Sequence, residues 1–178
     1  MADSTLTIPD NVTFEDAIAL TQTLLTMLER GKLSSSQIQD AIASLVSTLP
    51  GARGFFVTYL TDERPFADNP TPAVIEALRH NTETISDLMV KNIAMSTATS
   101  ITHQRNQDEK MAASSQRVRS RSAKIIKLLQ LPEVQERSQQ LYASATTGNG
   151  SYQEFLSRWG YDQEQRQAIA QALEPLIS

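Results

Sequence analysis

The sequence predicts an all-α protein, a helical bundle of about seven to eight helices with short N- and C-terminal helical hairpins. Three observations lead there. Apolar side chains recur at three- and four-residue intervals along most of the chain. Only one run, Phe55-Phe56-Val57-Thr58-Tyr59-Leu60, has strong strand propensity, and no second run offers it a partner. Glycine and proline are scarce, 6 and 7 in 178 residues, which argues against a turn-rich all-β chain.

Residues 1–12 are polar and aperiodic and read as a flexible terminus; residues 13–178 read as one helical domain. Thr13, with Asp16 three positions on, has the spacing of a capping box. Phe14, Ala17, Ile18, Leu24, Leu25 and Leu28 then share one helical side, and Gly31 stands where a left-handed stop belongs. Ser34-Ser35-Ser36 caps a second helix along Ile38, Ala41, Ile42, Leu45, Val46 and Leu49, which Pro50-Gly51 should end. The short linker predicts an antiparallel hairpin of these two helices. Ala52, Phe55, Phe56, Tyr59 and Leu60 also make a helical stripe, so residues 55–60 are assigned to a third helix. A strand pairing with a second copy of the chain is the competing reading.

Pro65, Pro70 and Pro72 keep residues 62–72 irregular, and Thr71-Pro72 starts a fourth helix that ends near Asn81-Thr82. Residues 84–131 lack both glycine and proline, which fits one very long helix or two. A break near Arg105–Asp108 is expected, because 48 residues at about 1.5 Å each would make a rod of roughly 70 Å. Met111, Val118 and Ile125 recur every seven residues in the second half. Leu131-Pro132 restarts a helix through Val134, Leu141, Tyr142 and Ala145. Residues 146–150 form a loop, Ser151 and Glu154 have capping-box spacing, and Asp162 caps the last helix. Trp159, beside Gly160-Tyr161, is expected to anchor the C-terminal hairpin.

Composition excludes several chemistries. With no cysteine there is no disulfide, zinc ribbon, iron–sulfur cluster or thiol nucleophile. No apolar run approaches the roughly 18 residues of a membrane span, and Met1-Ala2-Asp3-Ser4 lacks the basic start of a secretory signal. No Walker loop, nucleophile elbow, H-E-x-x-H or dinucleotide fingerprint occurs, so no catalytic residue and no metal site is assigned.

Charge placement is the most informative feature. The chain has a net charge of −4, yet residues 105–131 hold 7 basic side chains against Asp108 and Glu109. On a helix, Lys110, Arg117, Arg121 and Lys124 fall within about 60° of one another, beside the stripe of Met111, Val118, Ile125 and Leu129. This flank is the candidate docking face for an acidic partner. The competing reading is a solvated flank neutralised by the protein's own acidic helices. Overall acidity and a lack of interleaved aromatics disfavour nucleic acid, and a stripe without Trp or Phe disfavours a membrane surface.

His80 and His103 are the only histidines and the weak candidates for ligating haem or chlorophyll or for acting as a base; no cofactor is assigned. Asp62, Glu63 and Asp68 suggest a divalent cation only faintly, because the EF-hand spacing is absent. A capped turn with a local Arg64 ion pair is the preferred reading.

Three stretches carry a family resemblance: residues 90–98 (Val-Lys-Asn-Ile-Ala-Met-Ser-Thr-Ala), His103 with Arg105-Asn106, and residues 155–162 (Phe-Leu-Ser-Arg-Trp-Gly-Tyr-Asp). Over roughly residues 50–170 the chain resembles an uncharacterised family of small helical cyanobacterial proteins. The resemblance implies no activity. It implies a cytoplasmic setting in a photosynthetic cell, with an accessory role near photosynthetic complexes as an analogy. The functional expectation is therefore a non-catalytic helical adaptor or assembly factor binding an acidic protein partner, with homo-oligomers open. The alternatives are nucleic-acid binding by the same flank, or a pigment held by His80 or His103.

Overall fold

The computed structural model describes residues 6–177, and no strand occurs among them. The all-α class is as the sequence predicts. Its helices are α1 (Phe14–Glu29), α2 (Ser35–Leu45), α3 (Leu49–Tyr59), α4 (Pro72–Leu78), α5 (Thr82–Arg105), α6 (Glu109–Leu129), α7 (Pro132–Thr147), α8 (Gln153–Arg158) and α9 (Gln163–Ile177). Single 3-10 turns lie at Pro65–Ala67 and Arg79–Asn81. The reading of 13–178 as one domain meets a chain whose contacts fall into two compact units, one ending at Ile85 and one beginning at Ser86. The flexible terminus expected at 1–12 lies in part outside the described residues; within 6–12, Val12 is buried.

In the first unit, Thr13 and Asp16 form the reciprocal capping box, and Ser34 with Gln37 forms another. Gly31 has φ of +64°, as its place after α1 requires. Two expectations are corrected here, and the third helix assigned to residues 55–60 is present. Pro50 does not end α2: Thr48 caps a new helix, and Leu49-Pro50 are its first residues, where the missing proline N–H costs nothing. The 55–60 run is helical, so the strand reading falls. Finally, α1 packs chiefly on α3 and α2 on α4, so the N-terminal helices interleave instead of pairing in sequence. Gly54 sets how close α1 and α3 come, since a Cβ there would lie 2.5 Å from the Ala17 Cβ. Phe55 stacks on Tyr59 with centroids 5.0 Å apart, and both are buried. Asn81 Nδ2 donates to the Val46 carbonyl at 2.9 Å, satisfying an acceptor left open where α2 ends.

The acidic loop is the capped turn expected of it. Arg64 donates through Nε and Nη2 to the two Asp62 carboxylate oxygens at 2.9 Å each. It reaches Glu29 through Nη1 at 2.8 Å. These carboxylates raise the Arg64 guanidinium above its ordinary value, chiefly through the Asp62 bond.

In the second unit, α5 is the column to which the other helices are tied. Gln116 of α6 donates to Ser100 Oγ at 3.4 Å, and Arg137 of α7 to Asp87 at 3.3 Å. Tyr152, just before α8, donates to Asp87 at 2.8 Å. Gln165 of α9 donates through Nε2 to the Ala98 carbonyl at 3.0 Å and to Thr102 Oγ1 at 2.9 Å. The break expected near 105–108 is present: Gln107 is left-handed (φ +58°) and Asp108 caps α6 through the Met111 N–H. The C-terminal packing joins α7 and α9, with α8 between them in sequence.

Two further expectations are corrected in this unit. Ser151 and Glu154 form no capping box, because Tyr152 precedes α8 and gives its N–H to Ser144 Oγ at 3.1 Å. Trp159 anchors nothing: it is 54 % exposed, while Tyr152 and Leu156 are the buried side chains of this segment.

Candidate functional site

The basic flank lies on α6, and the structure divides it. Lys110, Arg117 and Lys124 are exposed, with Lys127 a further turn along. Arg121 is only 3 % exposed and leaves the candidate docking face. Helical geometry explains the split. A four-residue step turns about 40°. Arg117, Arg121 and Ile125 therefore step from water, to the margin, to the interior, where Ile125 is fully buried. A long arginine side chain can lie along that margin and cover apolar surface with its methylenes. Met111 corrects the expected stripe in the other direction, standing 45 % exposed while Ile125, Ile126 and Leu129 are buried.

Four cations of this helix stand apart from the protein's carboxylates. Among the described residues Lys110, Arg117, Arg119 and Lys127 form no ion pair. Between the basic positions stand Ala113, Ser114 and Ser120, which add no bulk to the face.

The two histidines belong to different units. His80 is exposed in the 3-10 turn of the first unit. His103 is half-buried on the last turn of α5 in the second, and its backbone carbonyl accepts the Asp108 N–H at 2.9 Å. Among the described residues no group of three His, Asp or Glu side chains is placed to hold a metal.

Sequence reasoning passed over a polar cluster at Asp87. Asp87 Oδ1 accepts from Tyr152 and Arg137, and Oδ2 pairs with Lys91 Nζ at 2.9 Å. Lys91 also lies over the Phe155 ring, 5.5 Å from its centroid. Burial pushes the Tyr152 phenol up to about 12; the Asp87 carboxylate adds to this and Arg137 opposes it. Burial alone pushes Tyr161 up to about 12. A phenol so disposed stays protonated and donating, and the cluster clasps α5, α7 and the start of α8. Its one local signal is the i, i+4 pair of Asp87 and Lys91; the partners from 137 and 152 have none.

A second charged cluster joins α5 to the start of α9. Arg105 donates to Asp162 at 2.6 Å and to Glu164 at 2.9 Å. Asp162 and Gln165 exchange backbone-to-side-chain bonds at 3.1 and 2.9 Å, the cap that the sequence predicts. Arg105 and then the Gln165 N–H hold the Asp162 carboxyl below the usual carboxylate range.

No helix among the described residues is long and apolar enough to cross a membrane. No curated protein and no solved structure matches the chain. A family model described as uncharacterised conserved protein UCP020893 matches residues 13–176.

Proposed function

The chain belongs to that family, and we propose that it is a non-catalytic helical adaptor or assembly factor. It binds an acidic protein partner through the exposed basic row Lys110, Arg117 and Lys124. A cytoplasmic setting, close to photosynthetic complexes, is part of the proposal and rests on the resemblance in residues 90–106 and 155–162. The supporting observation is the row itself, exposed on one side of α6 and holding Lys110 and Arg117 without an ion pair. Uncompensated cations on one side of an otherwise acidic protein raise the encounter rate with an acidic surface and fix its orientation.

Charge reversal tests this. The triple variant K110E/R117E/K124E is expected to keep the helical circular dichroism of the parent and to lose the partner retained by the parent from an extract of the source cell. Equal retention by both proteins defeats the proposal. Arg121 stays unaltered in this experiment, because its burial would confound binding with folding.

A further inference from the structure

We infer that the partner presents a helix to α6, with carboxylates spaced seven residues apart. The inference rests on the reading just given and narrows it to one class of occupant. Lys110, Arg117 and Lys124 are seven residues apart and exposed. Seven residues rise about 10.5 Å and fall about 20° short of two full turns. The row therefore drifts slowly around α6 as it climbs. A second helix crossing at the shallow left-handed angle of coiled-coil packing follows that drift, with its own seven-residue row facing this one. Ala113, Ser114 and Ser120 stand between the basic side chains and leave room for a helix to approach. The row is narrow and spans about 21 Å along the axis. That matches one helix of at least 15 residues better than the broad surface of a membrane or a duplex.

A second copy of the chain offers a poorer match. Glu15, Gln22 and Glu29 lie at the same spacing on the exposed side of α1. Their middle member is neutral, and Glu29 is already paired with Arg64 at 2.8 Å. A foreign helix with three carboxylates complements the row more fully.

The test uses the full chain and two synthetic alanine-based helical peptides of one composition. One carries three glutamates at seven-residue spacing; the other carries the same three on different faces. At low ionic strength the spaced peptide is expected to bind about tenfold more tightly, the scale of a few aligned exposed charge pairs. R117E is expected to abolish that preference. A peptide with its central glutamate changed to lysine is expected to restore binding to R117E. Equal binding of both peptides overturns the register while leaving the basic-row proposal standing. Binding of a DNA duplex or an anionic phosphatidylserine vesicle, with neither peptide bound, overturns it. So does a dimer seen by light scattering that E15K dissociates, and so does no binding at all.

Discussion

Gly54 shows at the scale of one residue what a sequence conceals. Inside a helix it reads as a weakness, because glycine loosens helices by about 1 kcal/mol relative to alanine. In the structure it is where two helices touch: an added Cβ would also lie 2.7 Å from the Phe14 carbonyl oxygen. G54A is therefore expected to destabilise the protein by about 1–3 kcal/mol through overpacking, despite the better helix propensity of alanine. Urea unfolding decides it, and a neutral or stabilising result would mean that α1 and α3 are not in close contact. Arg121 teaches the same lesson about charge. Its position among Lys110, Arg117 and Lys124 places it on the flank by angle alone, and only the depth of the neighbouring helices shows that it is covered. The exposure of the other three was legible, because they lie about 20–60° further from the apolar stripe by simple helical geometry.

Among elements, the features that were readable are those whose partners lie within three or four residues. The caps at Thr13, Ser34 and Asp162 all close over three residues and all form. The Arg64 turn is nearly as local, since Asp62 lies two residues away. The failures involve longer reach. Ser151 and Glu154 have the right spacing, yet the buried Ser144 hydroxyl takes the Tyr152 N–H from eight residues away. Asp87 meets its partners across 50 and 65 residues, and nothing in the local pattern announces them. The α9 cap yields a pH prediction. Because the fold lowers the Asp162 pKa, its contribution is complete above the ordinary aspartate value near 3.9. It is lost as pH falls through the lower folded value. The Asp162 carboxyl resonance should titrate below about 3.9 and move upward in R105A; a midpoint indifferent to R105A would remove Arg105 as the cause.

Over the whole molecule, the two units differ in how they are filled and charged. Residues 1–85 hold 5 basic and 11 acidic side chains, against 11 and 9 in residues 86–178. The first unit buries Phe55, Phe56 and Tyr59, together with leucines from every helix but α3. The second buries a smaller set of large side chains and several hydroxyls, Ser86, Ser122, Ser138 and Ser144 among them. Ser122 and Ser138 are fully buried, and their hydroxyls meet no hydrogen-bond partner among the described residues. A buried polar group left unmatched costs about 1–3 kcal/mol. S122A and S138A are each expected to raise stability by about 1 kcal/mol, also through better helix propensity. A lower melting temperature in either variant would show that the hydroxyl is satisfied after all. The all-helical class was visible from periodicity, whereas the division near residue 85 was not, since it falls inside the unbroken pattern of α5.

The bond from Asn81 to the Val46 carbonyl crosses 35 positions of the chain. A ribosome releases Val46 long before Asn81, so the nascent end of α2 must leave this carbonyl to solvent while the intervening segment is still being made. The first half of the protein therefore acquires its finishing stitch only as its last turn emerges, and translation pausing ahead of residue 81 would leave that seam open.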